Sequence, residues 1–363
     1  MDRSTLYALA ERVPARDQAA MAAARARLDR LTKPQGSLGR LEELAIALAG
    51  ITGRSMPRLP RKTIIVMAGD HGVAAEGVSA FPQEVTAQMV GNFLAGGAAS
   101  NVLARAAGAR VIVVDVGVAG EVPSHPDLVA RRIAPGTRNM TLGPAMTETE
   151  ALAAIAVGVE VVERELERGI DLVATGDMGI ANTTASSALV AAITGRPAAE
   201  VIGRGTGVDD AGLDRKVAAV ERALATNRPS SGDPLALLAA VGGLEIAGLV
   251  GVILGAAAHR VPILLDGFIS GAAALVATEL CPAARDSLIA AHRSVEIGHR
   301  AALERMGLVP FLDLDLRLGE GSGAALLMPL VDGALAILAE MATFDSAGVS
   351  ERTDPAVGSA EGR

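Results

Sequence analysis

Four short runs of apolar, largely β-branched residues lie at positions 63–68, 111–114, 172–175 and 261–265, and each gives way to an aspartate, at Asp70, Asp115, Asp177 and Asp266. The runs are apolar at successive positions rather than alternate ones, which predicts strands buried on both faces, as in a parallel sheet. Around them, apolar residues recur at helical spacing over 18–31, 38–48, 82–107 and 324–342. The segment Thr32-Lys33-Pro34-Gln35-Gly36-Ser37 separates the first two helices with Pro and Gly. Strands alternating with helices predict an α/β fold: a doubly wound, mainly parallel sheet with helices on both faces, preceded by a helical N-terminal segment. The polar, Gly- and Pro-containing end beyond about Ser346 is expected to be disordered.

Composition changes this picture in two places. The chain is 50% hydrophobic but has no Trp, one Tyr and five Phe, so its core must be built from Ala, Val, Leu and Ile. The almost wholly apolar run 235–258 is long enough to span a bilayer. It carries Glu245 and five glycines, however, and a mid-bilayer carboxylate costs about 2.5 to 3.5 kcal/mol on insertion scales, so a buried helix packed through its glycines is expected instead. No membrane association is anticipated. A net charge of −8 with interspersed signs leaves no footprint for nucleic acid. The first residues match neither a signal peptide nor a transit sequence, so a cytoplasmic location is expected. The single cysteine, Cys281, reads as structural.

In open parallel sheets, ligands bind beyond the carboxyl ends of the strands, which puts the four aspartates on one candidate rim. The stretch 316–325 sets Glu320 between Gly319 and Gly321, just ahead of the last apolar helix. Glycine allows left-handed backbone and close ligand approach, so Glu320 reads either as a carboxylate at a pocket mouth or as an acid at a helix N-terminus. After Asp177, Gly179 leads an Ala-rich helix for which Asn182 or a Thr would be the cap; such a helix start can also receive a phosphate. The sequence around Gly203, Gly205 and Gly207 looks at first like a dinucleotide fingerprint. Its preceding apolar run is weak, and Asp209 and Asp210 occupy the helix start where a pyrophosphate would sit, so no dinucleotide cofactor is expected. Lys216, in the next helix, reads either as a solvated lysine or as a contact to one phosphate. His292, Glu296 and His299 have the spacing of one helix face, but Gly298 interrupts it, and no metal site is expected.

Six stretches together resemble the nicotinate-nucleotide:dimethylbenzimidazole phosphoribosyltransferase family of cobalamin lower-ligand synthesis. They are LTKPQGSLGRLE from Leu31, AGDHGVAAEGVSAFPQEVT from Ala68, GDMGIANTT from Gly176, GRGTGVDDAGLDRK from Gly203, LLDGFISGAAAL from Leu264 and LGEGSGAAL from Leu318. The resemblance implies transfer of the ribosyl phosphate of nicotinate mononucleotide to 5,6-dimethylbenzimidazole, with release of nicotinate and inversion at the anomeric carbon. It implies Glu320 as the base that takes the azole proton and Asp177, where many relatives have Glu, as a carboxylate near the ribose. Ser79, Phe81, Pro82 and Gln88 would line the benzimidazole pocket, and Gly179, Lys216, Asp266 and Ser294 the phosphate, ribose and nicotinate region. Ile297 stands where relatives commonly have Pro. The family fold adds a small helical domain, here residues 1–59 with 291–345, to a large domain over 60–290, and a homodimer; no cofactor or metal is implied. Two other readings keep part of this: the same chemistry on another benzimidazole, a purine or a phenol, or a nucleotide-binding protein without catalysis.

Overall fold

The computed structural model describes residues 1–350 apart from Thr206 and Ser231. Its centre is a six-stranded sheet of β1 (Lys62–Gly69), β2 (Ala109–Gly117), β3 (Leu128–Ala130), β4 (Leu172–Met178), β5 (Ile263–Leu265) and β6 (Leu288–Ala290), in the order β3-β2-β1-β4-β5-β6. Every adjacent pair is parallel. The chain therefore winds outward in both directions from β1 and β4, and the crevice above that switch point is where such a sheet receives ligands.

Residues alternate strictly between two cores. Ile65, Met67, Val114, Val116, Val173 and Leu265 face one layer, under the helices Glu148–Glu167, Asn182–Thr194, Leu244–Ala258 and Phe268–Leu280. Ile64, Val66, Val113, Leu172, Ala174 and Leu264 face the other, under Arg40–Thr52, Val85–Leu94, Ala99–Ala106 and Ser322–Glu340. The uninterrupted apolar runs are the sequence's record of this double burial.

Four expectations are revised. The helix foreseen over 82–107 is two helices, Val85–Leu94 and Ala99–Ala106, because Gly96 turns left-handed at φ 75° between them. The apolar run 235–258 also divides, into Pro234–Val241 and Leu244–Ala258, with Gly242 and Gly243 at the break. Neither piece is long enough to span a bilayer. The second crosses Glu148–Glu167 in backbone contact: a side chain at Gly251 would collide with the carbonyl oxygen of Ile155. Among the described residues the one helix long and apolar enough to cross a membrane is Ser322–Glu340, and it packs on the sheet through Ala324, Leu327, Met328 and Val331. β3 and β6 have no counterpart in the sequence reading, since three residues are too few to show a pattern. At the C-terminus, residues 346 and 347 complete the short helix Phe344–Ala347; most of the expected tail, 351–363, lies outside the described residues.

Candidate active site

A cleft of about 380 Å³ opens above β4, lined by Phe81, Val85 and Met89 on one side, the helix start from Gly179 to Thr183 on another, and Glu320 and its neighbours on a third. Its most constrained part is the loop before the helix Ser322–Glu340. Gly319, Glu320 and Gly321 are consecutive left-handed residues, with φ of 81°, 65° and 85°. For glutamate that conformation costs on the order of 1 kcal/mol or more, so the loop must be held by its surroundings. The buried carboxylate of Asp266 does this, accepting the N–H groups of Gly321 at 2.9 Å, Gly323 at 2.7 Å and Ala324 at 3.1 Å. These are orphan donors of a helix N-terminus, and the acid also answers its positive end. From below, Gly176 permits the loop to lie on β4, since a Cβ there would stand 2.8 Å from the Glu320 carbonyl oxygen.

Held this way, Glu320 is 7% exposed, and its carboxylate has no hydrogen-bond partner among the described residues. Burial, and secondarily the charge of Asp266, raise its pKa from 4.5 to about 7. Asp177 ends β4 on the same side. Its Oδ2 accepts from Asn182 Nδ2 at 3.0 Å while its buried Oδ1 has no partner. Burial raises Asp177 well above the usual carboxylate range, and Asp266 and Glu245 add to the effect.

Lys216 is fully buried, not solvated. Its Nζ donates to Thr183 Oγ1 at 2.8 Å and to the Gly203 carbonyl at 3.1 Å, and burial lowers its pKa to about 8. The charge thus lies beneath Thr183, which lines the cleft.

Of the site residues that the resemblance implies, Phe81, Asp177, Gly179, Ser294 and Glu320 line the cleft together, joined by Gly205, His292 and Glu296 from the other candidate stretches. Lys216 and Asp266 lie one layer behind, and Ser79, Pro82 and Gln88 do not line it. Ser79 Oγ accepts the Phe81 N–H at 3.3 Å, and Gln88 is exposed. The cleft wall is instead Phe81, Val85 and Met89, a four-residue spacing legible in the sequence but overlooked there. Phe268 and Arg317 also line the cleft and were not singled out, and Asn182 was read only as a cap, although Asn182 and Phe268 lie within two of the stretches that carry the resemblance.

The aspartate rim is half right. Asp177 and Asp266 serve the cleft, whereas Asp70 accepts the Ala119 N–H at 2.8 Å and Asp115 pairs with Arg132 at 2.8 Å, both fixing loops elsewhere. Asn182 is not a cap: Ala181, left-handed at φ 74°, occupies that place and frees Asn182 to face Asp177. His292, Glu296 and His299 do not share a helix face, because the helix begins only at Ile297. Among the described residues, no group of three or more His, Cys, Asp or Glu side chains is arranged to hold a metal ion.

A family model described as phosphoribosyltransferase matches residues 13–349. The chain belongs to this phosphoribosyltransferase family. A Chloroflexus aggregans relative named nicotinate-nucleotide–dimethylbenzimidazole phosphoribosyltransferase is 63% identical over 341 residues, spanning 94% of this chain and 96% of the relative. A Desulforudis audaxviator relative of the same name is 59% identical over 341 residues, spanning 94% and 97%. The crystal structure of CobT from Thermus thermophilus superposes with a TM-score of 0.89 at 53% identity, covering 92% of this chain and 100% of that one. The phosphoribosyltransferase thus carries its buried, unpartnered glutamate in a fold shared over nearly its whole length.

Proposed function

We propose that this phosphoribosyltransferase moves the 5-phosphoribosyl group of nicotinate mononucleotide onto a ring nitrogen of 5,6-dimethylbenzimidazole, giving α-ribazole 5′-phosphate and nicotinate. The observation that carries the reading is Glu320: a carboxylate with a pKa near 7 and no hydrogen-bond partner, facing a largely apolar cleft. A base is most effective when its pKa lies near the working pH.

The acceptor ring lies against Phe81, Val85 and Met89, where a flat bicyclic aromatic finds apolar and ring contacts. As its nitrogen bonds to C1′, the azole proton passes to Glu320. The bond between C1′ and the pyridinium nitrogen breaks with its electron pair returning to the departing ring. Asp177, with a free Oδ1, faces the positive charge that gathers on the ribose. The phosphate is received by backbone N–H groups at the helix start after Gly179, by Ser294, and by the charge of Lys216 beneath Thr183.

The assay is mass spectrometry of purified protein with both substrates, following nicotinate and ribazole phosphate together. Equal appearance of the two supports the reading. A strong preference for adenine or phenol as acceptor would overturn the substrate, and no release of nicotinate with any acceptor would overturn the transferase. With this function we place a cytoplasmic homodimer whose partner covers Phe81 and Leu318, exposed at 52% and 54%, and a small helical domain of 1–59 and 291–345 beside the large one. Sedimentation at the mass of a monomer would remove the dimer.

A further inference from the structure

One edge of the sheet is left partly open. β3 pairs with β2 only over residues 113–115, so residues 109–112, the first half of β2, have β1 on one side and no strand on the other. An edge of this kind presents a row of backbone N–H and C=O groups to any chain that can lie beside it. Along it runs a slot of about 830 Å³, more than twice the volume of the cleft. The slot shares no lining residue with the cleft and lies at the amino end of β2, whereas the cleft opens above the carboxyl end of β4.

The slot is set between the two helical layers. Phe93 and Ala104 in its wall belong to the core on one face of the sheet, and Val161 to the core on the other. Half-buried Val111, Ile112 and Leu128 add apolar surface. Five arginines line it, in a chain whose net charge is −8. Arg110 and Arg168 pair with Glu165, and Arg131 pairs with Glu160 at 2.6 Å. The third acid of the slot, Asp127, stands 3.7 Å from His125 Nδ1. Arg105 and Arg164 form no ion pair with any described residue. Arg105 donates to the Gly96 carbonyl at 2.9 Å, and the acid nearest in effect to Arg164 is Glu160, already held by Arg131. These two unmatched guanidiniums stand on helices of opposite layers, Ala99–Ala106 and Glu148–Glu167. Successive side chains of a strand point to opposite faces of its sheet. Two adjacent acids on an added strand would therefore point one toward each layer and its free arginine. A second copy of this chain is a poor occupant, because pairing edge to edge would set like charges against one another.

We propose that this edge docks an extended acidic segment of a partner protein, which adds a strand beside residues 109–112 and directs neighbouring carboxylates to Arg105 and Arg164.

The probe is a capped, fluorescein-labelled octapeptide of valine and threonine with two adjacent glutamates at its centre, titrated by polarisation against the full chain. Saturable binding with a Kd below about 1 mM is expected, with slowed exchange of the outward amides of residues 109–112. Lysines in place of the two glutamates should weaken binding at least about tenfold. N-methylation of one alternate set of peptide nitrogens should weaken it about tenfold and of the other set little, since only one set faces the edge. Arg105→Gln combined with Arg164→Gln should weaken it about three- to tenfold; both side chains are exposed, so this variant is expected to melt with the unmodified protein. Absence of saturable binding overturns the proposal. Equal binding of the lysine peptide, or unchanged affinity in the double variant, removes the charge recognition and overturns it. Equal tolerance of N-methylation in both sets removes the added strand and overturns it as well. Outward amides that are already protected without peptide, in a chain that sediments as a dimer and loses that protection on dilution, would make a second copy the occupant instead.

Discussion

Replacing Glu320 with Gln removes one ionisable group and leaves a side chain of the same length on the same left-handed backbone. Burial, then Asp266, lift Glu320 from 4.5 to about 7, so between those values the folded chain keeps a proton that the unfolded chain has released. Where the folded state binds more protons, stability falls as pH rises. At about 1.4 kcal/mol per unit, the full loss is about 3 kcal/mol, complete once the pH exceeds about 7. Glutamine carries no such penalty. Glu320→Gln is therefore expected to change stability little at about pH 5 and to raise it by up to about 3 kcal/mol at about pH 8, while turnover falls about 10² to 10⁴-fold. Urea unfolding of both proteins at the two pH values, with donor and acceptor binding measured alongside turnover, checks both halves. Equal stability differences at the two pH values would refute the buried, raised carboxylate. Preserved turnover would move the base elsewhere, with Asp177 next in line.

Three further outcomes are expected. Glu320 must lose its proton to act and Lys216 must keep its own to hold a phosphate, so kcat/KM should rise through about pH 7 and fall again above about pH 8; a flat profile from about pH 5 to 10 would contradict both assignments. Gly176→Ala puts a Cβ 2.8 Å from the Glu320 carbonyl oxygen and should cost about 1 to 3 kcal/mol of stability and at least about tenfold in turnover, which thermal melting and steady-state kinetics would show; a variant with the parent's melting temperature and rate would mean that the loop does not rest on β4. Asp266→Asn leaves one acceptor oxygen where two receive three N–H groups, so it should destabilise by about 1 to 3 kcal/mol and move the acidic limb of the pH profile to lower pH; an unmoved limb would detach Asp266 from the Glu320 pKa.

Much of the sheet was legible because double burial writes itself as unbroken apolar runs, and β1, β2, β4 and β5 were each found at the right place. The helix breaks at Gly96 and at Gly242-Gly243 were not, since helical spacing carries across a two- or three-residue interruption and only the backbone reveals it. Among the aspartates, chemistry and position at a strand end are shared by all four. What separates Asp177 and Asp266 from Asp70 and Asp115 is which loop folds back over them, and that is decided by contacts far away in sequence. Lys216 shows the same limit: its spacing fits a surface position, and its burial comes from Thr183 and Gly203, both on other elements.

The left-handed triplet at Gly319, Glu320 and Gly321 has a consequence for how such an enzyme diversifies. The placement of Glu320, the base in the proposed reaction, is written in backbone, through three positive φ values and the absence of a side chain at Gly176, so drift at those positions is strained or obstructed. The proposed acceptor wall is written in side chains on and just before a different helix, Val85–Leu94. Exchanges at Phe81, Val85 or Met89 can reshape the space for an incoming ring while Glu320 stays where it is. The two halves of the site can thus evolve at separate rates, one nearly frozen and one free to explore new acceptors.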